Sequence, residues 1–516
     1  MHQTALLLVA SVALLATSIE AQTSTISMGR NDRIVGGGAA GVHYSSLLAK
    51  KGFTNIQVLE ASDRVGGKST TALDDRSQPQ EMGTVFALDT YTPIFDLGRE
   101  YDPTNTRFSF ALESPNYMYT MGESAGAADA DPDTVLDFPH YLLRSIKENA
   151  PASFPKNATT AQLQALFEEQ SAWYMALHRR IFGSYAYGLP PHPKDWSAID
   201  MMAMAFIKAN NLTALTGMFR FSQQQQGYGV LETIPAFYFL WWSHPQAVSK
   251  ILRAQVAHVP CAFQFRNGFQ SIWKTMSQAH RNVVKTVFDA TVTRVSRGLD
   301  GVSKPFVTYK TQASGQTIRV DCDHVVMAVD LSAFATLVTD LTADERAILT
   351  GSYTASTFVT TLFDSLPSPV ETAAQIWYYR MTQGGRLSAL RNSKLTLKYR
   401  GSTEWGDLIK GHQTRVAYQY YDTPLSQVVR GGVTPLLRKD LALAGMNQVA
   451  VWTQRPFNYF PRFTQEGLKK GLPRKIWNMQ GQRRTTWIGS SVCFESALDV
   501  VTYNNNLIKR VQMTPA

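Results

Sequence analysis

Gly36-Gly37-Gly38-Ala39-Ala40-Gly41, with a carboxylate downstream at Glu60, is the grouping in this sequence best suited to chemistry. Glycine at Gly36 permits a tight turn, and glycine at Gly38 lets the backbone approach a diphosphate with no Cβ between them. Gly41 allows a helix to lie close on the preceding strand. The N–H groups and positive dipole end of that helix then face the phosphates, with Ala39 and Ala40 in its first turn. A carboxylate about 20 residues beyond such a turn accepts from ribose hydroxyls, and Glu60 meets that requirement. The pattern specifies a dinucleotide site and does not by itself separate FAD from NAD.

Such a site needs a strand, a helix and a second strand to position it. Arg33-Ile34-Val35 reads as the end of a short buried strand. Ala40, Tyr44, Leu47 and Leu48 recur at helical spacing, and Lys50-Lys51-Gly52 supplies a cationic last turn and a glycine stop. Asn55-Ile56-Gln57-Val58-Leu59-Glu60 follows as an apolar strand ending in the acid. Strand, turn, helix, strand is the order of a Rossmann unit.

Just downstream, Glu60-Ala61-Ser62-Asp63-Arg64-Val65-Gly66-Gly67-Lys68 resembles the ExxxRxGG extension of the flavin-containing amine oxidase superfamily. That superfamily includes monoamine and L-amino-acid oxidases, phytoene desaturase-like enzymes and some FAD-dependent fatty-acid isomerases. The resemblance implies FAD as cofactor, with Ala61, Arg64, Gly66, Gly67 and Lys68 folding over its phosphates. Glu81-Met82-Gly83-Thr84-Val85-Phe86 is similar to the glycine segment that approaches the isoalloxazine, which assigns Gly83 and Thr84 to the cofactor. Val287 to Val295 and Cys322 to Val329 resemble the strands that return to the FAD domain, with the Val292 backbone at the adenine edge. Thr486-Trp487-Ile488-Gly489-Ser490, then Glu495-Ser496-Ala497-Leu498-Asp499, resembles the closing motif and places Gly489, Ser490, Ala497 and Leu498 beside the flavin and diphosphate.

The chain departs from that pattern in places. Lys68 stands for the usual Arg, which keeps the charge and loses bidentate geometry. Ser490 stands where many relatives carry Glu, and Asp330 replaces a common Pro. No residue is assigned to the flavin-facing lysine of many amine oxidases, and the catalytic residues stay unassigned. Whether the flavin is attached covalently is left open, with Cys493 near the closing motif.

The expected fold is α/β: a Rossmann-type FAD-binding domain with an inserted α+β substrate domain. FAD-binding parts are expected at 30–95, 264–345 and 471–516, with a largely helical substrate domain at 96–263 and its second part at 346–470. The middle is rich in Met and aromatic residues, including Met201, Met202, Met204 and Phe237 to Trp242, which suits an apolar pocket or ordinary helix packing. Gly227-Tyr228-Gly229 resembles a segment of the isomerase and dehydrogenase branches. Phe265 to Ser271 resembles the link back into the FAD domain, where a glycine precedes a helix. Thr357 to Phe363 alternates as a strand does. Tyr459 or Phe460 lines the flavin or simply packs.

The bulk composition narrows the class. The 516 residues exceed one simple core, and 44% hydrophobic with 17% charged residues is globular. The formal charge of +10 is spread thinly, without the basic stripe that nucleic acid requires. No CxxC or HExxH occurs and the ten histidines are scattered, so no metal centre is expected. Cys261, Cys322 and Cys493 exclude a disulfide scaffold and leave room for one bridge. Ala5 to Ala16 reads as the apolar core of a signal peptide spanning 1–21, with an uncleaved anchor as the alternative, since no Lys or Arg precedes it. No stable membrane span is expected after cleavage, and sequons at Asn157 and Asn211 suit a secreted chain. Nothing in the sequence sets an oligomeric state.

The resemblance implies hydride removal from a carbon of a small-molecule substrate to flavin N5, with reoxidation by dioxygen. Two rivals remain: a double-bond isomerase of unsaturated fatty acids that takes and returns the hydride, and a catalytically silent secreted binding protein. Substrate and electron acceptor are not legible.

Overall fold

Three apolar segments of the sequence, Asn31–Val35, Asn55–Leu59 and His324–Met327, are short enough to be strands and apolar enough to be covered on both faces. In the computed structural model they form the centre of a five-stranded, all-parallel sheet. Its order is Val284–Val287, Asn55–Leu59, Asn31–Val35, His324–Met327, Thr485–Trp487. The structure describes residues 24–74, 77–110, 117–120, 135–257, 259–366, 375–378, 384–392 and 411–514. The expected signal peptide lies outside them.

Helix Ala39–Lys50 packs on this sheet through Tyr44 and Leu48, both fully buried, and stops at Gly52, whose φ is +92°. Helices Phe269–Ala279 and Ala497–Leu507 pack beside it. The segment from Val287 to Val295 is not one returning strand. It breaks at Asp289, a non-glycine residue at φ +53°, and the two halves enter different sheets. Asp289 N donates to Ser62 O and Ala290 N donates to Glu60 O, so the break docks on the corner at Glu60. Ala290–Ser296 then joins Phe306–Thr311 and Thr317–Asp321 in an antiparallel meander.

The second layer is a seven-stranded sheet. Its order is Ala450–Phe463, Tyr353–Ser365, Gln413–Tyr421, Leu387–Asn392, Gln375–Tyr378, Tyr117–Thr120, Val135–Leu136. All neighbours are antiparallel except the parallel pair Gln375–Tyr378 with Tyr117–Thr120. The stretch at 96–263, expected to be largely helical, also contains short strands. Helices such as Phe138–Asn149, Thr160–Phe182 and Pro245–Ala257 fill much of it. Yet Arg107–Phe110 pairs with Ala262–Phe265, and two further strands complete the large sheet. Strands of two to four residues carry too little alternation to register against long helical patterns.

Candidate active site

The glycine turn has the geometry its sequence requires. Gly36 sits at φ +106°, and its N–H donates to Leu59 O at 2.9 Å. A Cβ on Gly41 would lie 2.0 Å from Gly36 O, so only glycine lets the helix approach this closely. A Cβ on Gly38 would meet nothing nearer than Gly67 Cα at 3.8 Å. The glycine at Gly38 thus keeps open space beside the helix N-terminus rather than relieving a protein contact. Glu60 Oε2 accepts from Gly37 N at 2.7 Å, and Oε1 accepts from Ser62 N at 2.8 Å. These bonds fix the carboxylate at the carboxyl end of its strand, where ligands of open parallel sheets bind.

The extension after Glu60 folds back over this turn. Gly66 N donates to Gly37 O at 2.9 Å, and Gly66 and Gly67 both take positive φ. Ala61 is exposed beside Glu60, and its carbonyl accepts from Gln312 Nε2. Arg64 is half-buried with Nη1 shielded from solvent and unpartnered. Gly83 is pressed against the extension: a Cβ there would lie 1.6 Å from Lys68 O. Thr84 Oγ1 meets Ser69 Oγ at 2.8 Å. Val292 lies half-buried at the bulge of its strand. Gly489, at φ +96°, faces Ala40 across a gap that a Cβ would narrow to 3.5 Å. Ala497 borders the central cavity, whereas Leu498 is buried in a cluster with Val42, Ile94 and Trp273. Ala39 packs at the edge of that same cluster and Ala40 is buried under the turn.

Lys68 does not point at the glycine turn as a free cation. Its Nζ donates to Glu495 Oε2 at 2.6 Å and to Ser490 Oγ at 3.4 Å, and lies over the Tyr459 ring. Glu495 was not legible as a site residue. It supplies a carboxylate near the place where Ser490 lacks one, and it also accepts from Phe460 N at 2.9 Å. Burial raises its carboxyl pKa while Lys68 opposes the shift.

Between the seven-stranded sheet and the segments at Lys68, Gly83 and Glu495 lies a cavity of about 650 Å³, counting space open to solvent. Lys68, Gly83, Thr84, Tyr228, Tyr459, Trp377, Gln375 and Glu495 are among its walls. Tyr228 and Tyr459 stand with parallel rings, centroids 6.0 Å apart, and Phe358 stacks on Tyr459 at 5.1 Å. Of the two aromatics the sequence left open, Tyr459 lines the cavity, and Phe460 is fully buried in packing. Burial raises both Tyr228 and Tyr459 well above the ordinary phenol range, so each is protonated at neutral pH. A second chamber of about 860 Å³ adjoins the first and shares Phe86, Tyr91, Gln226, Tyr228 and Trp377 with it. Its remaining walls include Leu88, Phe221, Ala247, Val248 and Ile251, and no charged side chain lines it among the described residues. The Gly-Tyr-Gly segment thus places Tyr228 at the junction, with Gly227 and Gly229 at positive φ.

The three cysteines are free and buried. Cys493 Sγ donates to Gly489 O, and burial holds its thiol well above the usual range. No cluster of ligands for a metal ion occurs among the described residues.

An open cradle at Gly38, unpartnered buried nitrogen on Arg64 and a fixed carboxylate at Glu60 together fit a dinucleotide with a diphosphate. A parallel sheet carrying that cradle, joined to an antiparallel substrate sheet across a cavity, is the architecture of a two-domain flavoprotein oxidoreductase. The chain matches the flavin containing amine oxidoreductase family over residues 39–397, and it belongs to that family. It is an FAD-dependent oxidoreductase. Among curated proteins it is similar to the polyenoic fatty acid isomerase of Ptilota filicina, 22% identical over 511 residues, covering 92% of this chain and 94% of that one. Among solved structures it resembles the CLA-producing fatty acid isomerase from P. acnes, with a TM-score of 0.66 and 17% identity over 94% of this chain and 99% of that one. It likewise resembles putrescine oxidase bound to putrescine, with a TM-score of 0.61 and 15% identity over 94% and 99% of the two chains.

Proposed function

We propose that this chain is an FAD-dependent double-bond isomerase of polyenoic fatty acids, and that it is exported from the cell. The observation that carries the catalytic reading is the uncharged second chamber opening off the cavity beside the glycine segment at Gly83. A long hydrocarbon chain gains roughly 0.8 kcal/mol for each methylene it buries in such a space, whereas an ammonium group there would lose its hydration without a partner. When bound, FAD supplies a centre that accepts a hydride and can give it back.

The residues of this chain would hold, orient and dry the substrate. Tyr228, Trp377 and Phe86, shared by both chambers, would keep the reacting carbons at the junction and exclude water. A reaction that removes a hydride and returns it at another carbon of the same chain requires no general base. The cavity accords with this: its carboxylate, Glu495, is engaged by Lys68, and its tyrosines are held protonated. FAD itself would lie with its diphosphate at Gly36 to Gly41, its adenine ribose at Glu60 and its ring beside Gly83, Thr84, Gly489 and Ala497. The similarity to two fatty acid isomerases, one by sequence and one by fold, supports the same reading.

The test is to incubate the FAD-loaded protein with polyenoic fatty acids and follow conjugated products by ultraviolet absorbance, with hydrogen peroxide measured in parallel. Isomer without peroxide is the expected result. Stoichiometric peroxide with a desaturated or deaminated product would replace this reading with an oxidase. Export is supported by the apolar run at 5–16 and by the exposure of both sequon asparagines, Asn157 and Asn211.

A further inference from the structure

Arg455 lies on Ala450–Phe463, an edge strand of the substrate sheet, opposite Thr360. That strand crosses the carboxyl end of the parallel sheet. Asn458, three residues on, donates through Nδ2 to Asp330 Oδ2 at 3.1 Å. Asp330 follows the His324–Met327 strand, and Ala328 O lies 2.8 Å from where a Gly36 Cβ would stand. The strand carrying Arg455 is therefore tied beside the glycine turn.

The Arg455 charge bears on Arg64 of the extension. The Arg64 guanidinium has an ionisation depressed first by burial and next by the charge of Arg455, against the opposing pull of Asp63 and Glu60. Arg64 Nη1 and Arg455 Nε are both shielded from solvent and unpartnered. Among the described residues, neither side chain makes a hydrogen bond or an ion pair. Glu60 cannot neutralise them by moving, because Gly37 and Ser62 already hold both of its oxygens. Two half-buried guanidinium groups that repel each other and lack acceptors form an incomplete arrangement, which a multiply charged oxyanion between them would complete.

We propose that Arg455 is a second diphosphate-binding cation for FAD, supplied by the substrate sheet and acting opposite Arg64. This rests on the assignment of FAD to the glycine turn. It gives the cofactor a structural role: the diphosphate bridges the two sheets. Arginine suits this position because its planar fork can donate two hydrogen bonds to one phosphate.

The test compares the full-length protein with Arg455→Met and Arg455→Lys. Each apoprotein is titrated with FAD and with riboflavin, which lacks the diphosphate, by quenching of flavin fluorescence, and is melted with and without FAD. For Arg455→Met the FAD dissociation constant should rise about tenfold or more, in line with loss of a charged hydrogen bond. Riboflavin affinity should be unchanged, the apoprotein should melt at or above wild type, and the gain in Tm from FAD should shrink. Arg455→Lys should recover part of the FAD affinity. An unaltered FAD affinity, an equal loss with riboflavin, or a lowered apoprotein Tm would each overturn the proposal, the last because it marks a packing role. If wild type itself takes up no FAD, the cofactor assignment fails first, and this inference falls with it.

Discussion

Lys68 Nζ and Glu495 Oε2 meet at 2.6 Å although 427 residues separate them in sequence. The pair joins the extension after Glu60 to the closing segment at 486–499. Because Glu495 also accepts from Phe460 N, it ties the substrate sheet into the same knot. Three segments that meet at the cavity are thereby held by one carboxylate. This recasts the Lys68 departure from Arg: the ammonium serves as a close partner of Glu495.

Removing the lysine should leave Glu495 buried without its cation. Its folded carboxyl pKa already lies above the unfolded value of 4.5, and in Lys68→Met it should rise further. A raised folded carboxyl binds protons more tightly than the unfolded chain. Its contribution is therefore fully present below the unfolded value and is lost as pH rises through the folded one. Lys68→Met should match wild type near pH 5 and fall about 1–3 kcal/mol below it near pH 8, the range lowered because Lys68 is partly exposed. Denaturant melts at both pH values read this out. Adding Glu495→Gln should restore part of the loss at pH 8, and equal losses at both pH values would show that Lys68 acts through packing alone.

Two glycines of the same turn should respond to alanine in opposite ways. In Gly41→Ala the new methyl meets Gly36 O at 2.0 Å, a backbone clash that no rotamer relieves, and the apoprotein should lose about 2–4 kcal/mol. In Gly38→Ala the nearest atom is 3.8 Å away and φ is an ordinary −67°, so the apoprotein should stay within about 0.5 kcal/mol of wild type. Its FAD affinity should nevertheless collapse, because the methyl enters the diphosphate space. Parallel thermal melts and FAD titrations separate the two effects. A Gly38→Ala protein that binds FAD normally would place the diphosphate elsewhere.

Asp32 lies in the middle of the parallel sheet, fully buried, with both carboxylate oxygens unpartnered. Burial first, and the charge of Asp323 second, raise its pKa from 3.8 to about 8. By the same linkage, its contribution to stability is greatest below pH 4 and declines as pH rises to about 8. Asp32→Asn should therefore gain steadily on wild type between pH 5 and pH 8. Tm differences measured across that window test it, and a constant difference would mean that Asp32 does not titrate there.

The cofactor half of the molecule was legible because its chemistry is local. Gly36, Gly38, Gly41, Glu60 and the Gly66-Gly67 pair lie within one strand-turn-helix-strand unit and the extension that follows it; Gly41 and Gly66 answer to backbone oxygens three to five residues away, at Gly36 and Ser69. The substrate half was not legible, because its walls are set by sheet order. Trp377 and Gln375 reach the cavity on a four-residue strand that pairs in parallel with Tyr117–Thr120, a partner no periodicity announces. Glu495 left one trace, as the first carboxylate after the Gly-Ser of the closing motif. Arg455 left none, since its meaning depends on a strand crossing from the other sheet.

Export should be visible as glycosylation. Expressed in a eukaryotic secretory host, the full chain should appear in the medium with an N-terminus near residue 22 and lose mass on treatment with an N-glycosidase. Asn157→Gln and Asn211→Gln together should abolish that shift. Retention in the cell with an intact N-terminus would instead support the anchor reading.

The second chamber makes the sharpest claim about substrate. Ala247 lies on its wall, on helix Pro245–Ala257, away from every residue placed at the FAD. Ala247→Phe should fill part of the space without touching the cofactor, so the flavin spectrum and FAD affinity should match wild type. Long polyenoic acids should then turn over about a hundredfold more slowly, because a reacting carbon displaced by about 1 Å loses on that order. Shorter chains that never reach Ala247 should be affected far less, so the preferred chain length should shift downward. A uniform loss across all chain lengths would point to a disturbed junction at Tyr228. Unchanged turnover would mean that the hydrocarbon tail leaves the flavin cavity by another route, and the isomerase reading would lose the observation it rests on.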